Sequence, residues 1–142
     1  MTDYRLLPPP TWSPTTEGHW LAAGRGALAV QICHRCGAHR WPPTEICYRC
    51  RCIEWGWAEL PGTGTVFTYT WTDSPVSSRL AHLGVYNATV ITLDGTEGEP
   101  VRMLGRVTGV DKATLACDLP VEVHFEPFDA VVAIPVWRPR RH

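Results

Sequence analysis

Four cysteines are the residues of this chain whose type and spacing most directly indicate chemistry. They form the pattern C-x2-C-x10-C-x2-C at Cys33, Cys36, Cys47 and Cys50. Each C-x2-C pair fits a tight turn that directs two sulfurs to one point, and the short spacer brings the second turn opposite the first. Four thiolates can then surround one Zn²⁺ at Zn–S distances of about 2.3 Å. Since no coordination position stays open, we expect a structural zinc and not a catalytic one.

Two disulfides or a chance cluster are the alternatives to zinc. The spacing is typical of metal sites, and a reducing compartment also favours zinc. Residues 1–5 lack the charge pattern of a signal peptide, and no stretch approaches the roughly 20 apolar residues of a membrane span. We therefore expect a cytoplasmic protein without membrane association.

The segment around the cysteines is rich in arginine, with Arg35, Arg40, Arg49 and Arg51. Zinc with four thiolates carries a charge of about −2, so the arginines could simply neutralise the site. Alternatively, they could form a basic surface that meets an acidic subunit or the phosphates of a ligand. His39 lies in the same segment and could be a surface residue or a hydrogen-bond partner of a sulfur.

No other set of residues predicts a catalytic site. The sequence lacks the G-x-S-x-G, phosphate-loop and H-E-x-x-H patterns. The carboxylates of Asp94, Glu97 and Glu99 share one predicted turn and are expected to be solvated. Structural or surface roles are expected for His34, His82, His124, Cys52 and Cys117. The sequence therefore predicts a protein that is not an enzyme by itself.

Short elements must position the cysteines. Strands are predicted at residues 27–32, before the first turn, and at residues 53–60, after the second. A short helix precedes them, with Ser13 as N-cap, Pro14 as the first helical residue and Gly24 at its end. Two tryptophans beside this helix could dock it either onto the same protein or onto another subunit; they are Trp12 and Trp20.

From residue 65 onward the apolar pattern has a period of two. Five strands are predicted, at about residues 65–72, 85–93, 101–107, 121–126 and 131–136. This number favours a small closed barrel of the OB type over a sandwich, which usually has about seven strands. The sequence predicts a mainly β protein of 142 residues. Its parts are an N-terminal segment with a short helix (1–26), a zinc ribbon (27–60), a five-stranded OB-fold barrel (61–137) and a basic tail (138–142).

An aromatic row marks the first barrel strand. Phe67, Tyr69 and Trp71 alternate with threonines and are predicted to share one face. Such a row could stack nucleic-acid bases, but aromatic residues also fill barrel cores and protein interfaces. The net charge is −1 and Lys112 is the sole lysine, whereas nucleic-acid-binding proteins usually carry excess cations. We expect core or interface here, with single-stranded nucleic-acid binding as the alternative function.

Several motifs recur together in one known family. They are Gln31-Ile32-Cys33, Cys36-Gly37, Trp41-Pro42-Pro43, Cys47-x2-Cys50, Glu54-Trp55 and Gly62-Thr63-Gly64. Over residues 15–127 this order resembles the DUF35 family, which joins a rubredoxin-like zinc ribbon to a C-terminal OB fold. One departure is Arg51-Cys52, where the family usually has a glycine and a small polar residue.

The resemblance implies an accessory subunit. DUF35 proteins are described as acyl-CoA-associated and accompany thiolase-superfamily enzymes, including lipid-transfer-type aldolases that cleave steroid side chains as CoA thioesters. We therefore expect a hetero-oligomer in which this chain stabilises a thiolase-like or aldolase subunit, without nucleic acid. The arginines around the cysteines could then contact the phosphates of acyl-CoA. Three of the seven tryptophans lie outside the predicted barrel core and are expected to contact the partner: Trp12, Trp20 and Trp137.

Overall fold

The computed structural model describes residues 8–73 and 77–141, in which most of the regular structure is β-strand. One α-helix, α1, spans Glu17–Gly24, and a 3-10 helix spans Ser78–Leu83. The strands are β1 Leu28–Cys33, β2 His39–Arg40, β3 Trp55–Leu60, β4 Thr63–Thr72, β5 Tyr86–Leu93, β6 Arg102–Gly105, β7 Pro120–Pro127 and β8 Ala133–Pro139. The predicted mainly β fold class is confirmed. No helix in the described ranges is long and apolar enough to cross a membrane.

Strands β1, β2 and β3 form a small antiparallel sheet in the order β2-β1-β3. Cys33, the last residue of β1, pairs with Trp55, the first residue of β3. The segment that carries Cys36, Cys47 and Cys50 therefore begins and ends at one end of this sheet. Leu28 and Val30 of β1 belong to the same hydrophobic cluster as the barrel residues, so the ribbon and the barrel share one core.

Helix α1 begins later than the sequence predicts. The carbonyl of Ser13 accepts hydrogen bonds from the N–H groups of Thr16 and Glu17, at 3.0 and 2.8 Å, and forms a turn before the helix. The hydroxyl of Ser13 lies 2.9 Å from that of Thr15 and 3.1 Å from that of Thr16. Because this hydroxyl is engaged with side chains, it does not cap the helix, and Thr16 takes the N-cap position.

Helix α1 packs against the ribbon sheet through a glycine and a buried histidine. At Gly18 a Cβ atom would lie 2.2 Å from the ring of Trp57. Nδ1 of His19 donates a hydrogen bond to the carbonyl of Ala29 at 2.9 Å. Burial lowers the pKa of His19 below its usual value, so the ring is neutral near pH 7. The helix therefore docks onto the same protein, one of its two predicted alternatives, and leaves Trp20 half-buried.

The other five strands form an antiparallel sheet in the order β6-β5-β4-β7-β8. Its two ends meet where Val107, just after β6, makes a parallel bridge with Trp137 of β8. The N–H of Trp137 donates to the carbonyl of Arg106 at 2.8 Å, and the N–H of Thr108 donates to the carbonyl of Trp137 at 2.8 Å. A five-stranded sheet that closes in this order is the predicted OB-type barrel.

Trp137 is fully buried inside the barrel, so the prediction that it contacts a partner subunit is wrong. Its exposed fraction is 0%, and it belongs to the central hydrophobic cluster. The predicted fifth strand stops at residue 136, whereas β8 continues to Pro139 and pairs Trp137 with Val123 of β7. Closure of the barrel packs Gly105 directly against the Trp137 ring, since a Cβ atom at Gly105 would lie 2.9 Å from it.

A bulge splits the aromatic row of β4. The register between β4 and β5 shifts between Val66 and Thr68, so Phe67 has no partner residue on β5. Tyr69 and Trp71 pack against the hydrophobic core, which also contains Val66. Phe67 is instead 51% exposed, because the extra residue of a bulge reverses the alternation of faces. The prediction that Phe67 shares a face with Tyr69 and Trp71 is therefore wrong.

Candidate metal centre

The two C-x2-C pairs lie on turns of the same shape. In the first turn the N–H of Gly37 donates to the carbonyl of Cys33 at 3.0 Å. In the second, the N–H of Arg51 donates to the carbonyl of Cys47, also at 3.0 Å. Each turn ends in a residue with positive φ, +71° at Gly37 and +63° at Arg51. The local backbone thus repeats, and it places both cysteine pairs around one position.

The four sulfurs form a compact cluster in which all lie within 4.8 Å of one another. The Sγ atoms of Cys33 and Cys50 are 3.5 Å apart, and those of Cys36 and Cys47 are 3.7 Å apart. A disulfide would bring two sulfurs to about 2.05 Å. Sulfurs placed tetrahedrally at about 2.3 Å from one zinc would be about 3.8 Å apart. The four cysteines lie close enough together to hold a metal ion.

The thiols of this cluster differ in acidity. The backbone N–H of Cys36 is the largest influence on Cys33 and helps to lower the pKa of that thiol to about 6. The N–H of Cys52 lowers the pKa of Cys50, but burial and the three neighbouring sulfurs outweigh it and raise that pKa to about 11. Four sulfurs this close resist carrying four negative charges unless a cation lies between them. A metal ion would supply that cation.

Arg51 stands where the DUF35 family usually has a glycine, and it adopts a glycine-like backbone. Its φ of +63° lies in the left-handed region, which a residue with a Cβ atom enters at a cost. The side chain is exposed, so no packing interaction explains the arginine. The departure from the family pattern therefore leaves the shape of the second turn intact and adds local strain.

Replacing Arg51 with glycine should stabilise the protein by about 1 kcal/mol. Glycine removes the left-handed strain, although its greater freedom in the unfolded chain offsets part of the gain. Urea unfolding followed by tryptophan fluorescence should show a higher midpoint for Arg51→Gly. The matched control is Arg49→Gly, an exposed arginine of the same turn without a positive φ, which should not raise the midpoint. An unchanged midpoint for Arg51→Gly would contradict the strain argument.

The arginines of the ribbon have different environments. Arg40 is buried, where its Nε donates to Oε1 of Gln31 at 2.6 Å and its Nη2 donates to the carbonyl of Thr44 at 3.1 Å. The N–H of Thr44 donates to the same Gln31 oxygen at 2.9 Å. Arg40 therefore fixes the spacer between the cysteine pairs and adds nothing to an exposed basic surface. The exposed arginines of this segment are Arg35, Arg49 and Arg51.

His39 connects the ribbon to the barrel. Its ring Nδ1 accepts a hydrogen bond from the backbone N–H of Glu97 at 2.8 Å. The backbone N–H of His39 donates to the carbonyl of Glu97 at 3.1 Å. His39 is thus buried, and its hydrogen bonds join it to Glu97 and not to a sulfur, so neither of its two predicted roles describes it. The carboxylate residues Asp94, Glu97 and Glu99 are exposed, as predicted. The hydrogen bonds between the Glu97 backbone and His39 could not be predicted from the sequence.

Cys52 is a part of the site that cysteine spacing does not reveal. It is buried and packs in the same cluster as Cys33 and Cys47. The N–H of Cys47 donates to its carbonyl at 2.9 Å, and the N–H of Glu54 donates to its Sγ at 3.3 Å. Cys52 therefore closes the second turn, and its sulfur serves as a hydrogen-bond acceptor in the exit from that turn.

The other residues considered for catalysis lie on separate elements. Nδ1 of His82, in the 3-10 helix, is 2.9 Å from the carbonyl of Arg79. Nε2 of His124, on β7, is 3.7 Å from Oε1 of Glu126. The two histidines line different cavities, and Cys117 is exposed in the segment before β7. The structure does not bring these candidates together.

Comparison with known proteins finds relatives that share this fold. The family described as "ChsH2, C-terminal OB-fold domain" matches residues 57–126. The solved structure described as "Ltp2-ChsH2(DUF35) aldolase" contains a similar chain, with a TM-score of 0.79 and 24% identity over 92% of this chain and 98% of that one. No curated protein matches the sequence.

A second solved structure has the same fold at greater distance. It is a DUF35-family protein of unknown function from Sulfolobus solfataricus, with a TM-score of 0.59 and 13% identity over 90% of this chain and 87% of that one. At these identities both likenesses establish the fold alone. Together with the family match, they confirm the resemblance that the sequence motifs indicate. The chain thus has the fold of DUF35-family proteins, and its residues 57–126 match the family of ChsH2 C-terminal OB-fold domains.

Proposed function

We propose that this chain is a non-catalytic accessory subunit of a thiolase-superfamily enzyme that acts on acyl-CoA thioesters. The observation that carries the proposal is the likeness over 98% of the DUF35 chain in a structure described as an Ltp2-ChsH2 aldolase. A lipid-transfer-type aldolase is therefore our first candidate for the partner. Steroid side chains are the substrate class that the family resemblance adds, and a cytoplasmic location stays a prediction.

We further propose that the four-cysteine cluster holds one structural Zn²⁺ ion. Cys33, Cys36, Cys47 and Cys50 would be its ligands, and four thiolates suit zinc in a closed tetrahedral site. Such a site supplies no open position for substrate or water. The metal would instead fix the two turns, which are too short to form a core of their own. This role fits a subunit that supports a partner enzyme.

Co-expression with a lipid-transfer-type enzyme encoded beside this chain in its genome tests the proposal. The two proteins should elute together in size-exclusion chromatography, and the enzyme should be more stable to heat in the complex. The isolated chain should not turn over acyl-CoA substrates. The control is a thiolase-superfamily enzyme encoded elsewhere, which should not co-elute. A chain that stays alone beside its neighbour, and instead binds single-stranded DNA at low salt, would support the alternative function.

A further inference from the structure

The outer face of strands β4, β5 and β6 exposes apolar side chains near one end of the barrel sheet. Ile91 of β5 and its partner Met103 of β6 are buried in the core. Successive residues of a strand point to opposite faces, so the next pair, Val90 and Leu104, points outward. Leu104 is 69% exposed. We call this surface the β4–β6 face, and its central residues are Phe67, Thr68, Val90, Thr92, Arg102 and Leu104.

The bulge in β4 presents Phe67 on this face. Without the bulge the ring would follow the alternation of Tyr69 and Trp71 toward the core. The guanidinium of Arg102 lies over the Phe67 ring, 3.9 Å from its centroid. This cation–π contact favours one arrangement of the two side chains before any partner binds. A surface ordered in advance loses less conformational entropy on binding, so such a pair is suited to be an interface anchor.

The charge of the β4–β6 face indicates its partner. Arg102 is its single charged residue, and within residues 8–73 and 77–141 no carboxylate forms an ion pair with it. Leu104 and Val90 beside it would be covered by an apolar surface. The complementary surface is therefore apolar and carries a carboxylate opposite Arg102. One cation is too few for single-stranded nucleic acid, whose binding depends on neutralising several phosphates.

From this arrangement we infer that the β4–β6 face is the surface on which this chain binds its partner enzyme, through apolar contacts and a carboxylate that meets Arg102. The inference rests on the proposed accessory function and adds the place of contact. The position of β6 supports it, because β6 ends the sheet and, among the described strands, forms its ladder along Arg102–Gly105 with β5. An apolar face beside a sheet end favours association with another chain.

The test measures binding of the full-length chain to the lipid-transfer-type enzyme encoded beside it, by isothermal titration calorimetry. Leu104→Glu and Arg102→Glu should each weaken binding by about 30-fold or more, as expected for central interface residues. The matched control is Ile53→Glu, since Ile53 is 71% exposed but lies on the ribbon. It should bind as the wild type does. All variants should keep the zinc content and melting temperature of the wild type, because each replaced side chain is exposed.

Three outcomes would overturn the inference. If the wild-type chain binds the enzyme and both β4–β6 variants bind equally well, the β4–β6 face is not the binding surface, while the accessory function stands. If the wild type does not bind the enzyme at all, the proposed function fails, and this inference fails with it. If Leu104→Glu leaves enzyme binding intact but dissociates a dimer of this chain, or abolishes DNA binding, the face serves a second copy or a nucleic acid instead.

Discussion

Replacing Cys47 with serine should release the metal and unfold the ribbon. The Cys47 side chain is fully buried, and its sulfur lies 3.7 Å from that of Cys36. Binding of zinc to a structural site is itself folding free energy, on the order of 10 kcal/mol in zinc-finger peptides at neutral pH. A serine hydroxyl cannot replace the thiolate, so most of this free energy should be lost. Metal analysis should find one zinc per wild-type chain and almost none in Cys47→Ser.

The effect should reach beyond the ribbon. Leu28 and Val30 of β1 pack in the same cluster as the barrel residues, so loss of the ribbon removes part of the barrel core. Thermal unfolding followed by circular dichroism should therefore show a large drop in melting temperature for the whole protein. Cys117→Ser is the matched control, since Cys117 is an exposed free thiol outside the cluster. A folded, metal-free protein with Cys33 and Cys36 in disulfides would exclude the zinc proposal.

The position of the candidate metal site follows from the sequence because its geometry is local. Two C-x2-C turns with the same backbone hydrogen bond need only a few consecutive residues, and the spacer between them is short. The fold class follows for a similar reason, since alternation with a period of two predicts strands wherever one face is buried. Both features depend on residues that are close together in the sequence, so they can be predicted without knowledge of distant contacts.

The errors of sequence reasoning arise where distant segments decide the outcome. The bulge at Phe67 is a shift of one residue in pairing with β5, and alternation in β4 alone does not reveal it. The burial of Trp137 depends on closure of the barrel against residues 106–108, more than 25 positions earlier in the chain. His39 is buried for the same kind of reason, since its partner Glu97 lies on the barrel. Each error concerns a contact that the completed fold creates.

Replacing Trp137 with alanine should destabilise the barrel by about 3–5 kcal/mol, the usual range for removing a large aromatic side chain from a core. Trp137 is 0% exposed and lies where β8 meets the segment after β6, so the cavity would form at the point of closure. The space is tightly defined, because Gly105 approaches the ring closely. Surrounding side chains can therefore refill little of it. Chemical unfolding of the wild type and variant at equal zinc content would measure the difference.

The comparison with Trp12→Ala separates a core role from an interface role. Trp12 is 41% exposed, so its replacement should change the free energy of unfolding by less than about 1 kcal/mol. If Trp137 were an interface residue, Trp137→Ala would unfold like the wild type and lose only its partner. Because Trp137 is buried, we expect instead that Trp137→Ala unfolds more easily than the wild type even without the partner. Loss of the complex in Trp137→Ala would then follow from loss of the barrel that forms the β4–β6 face.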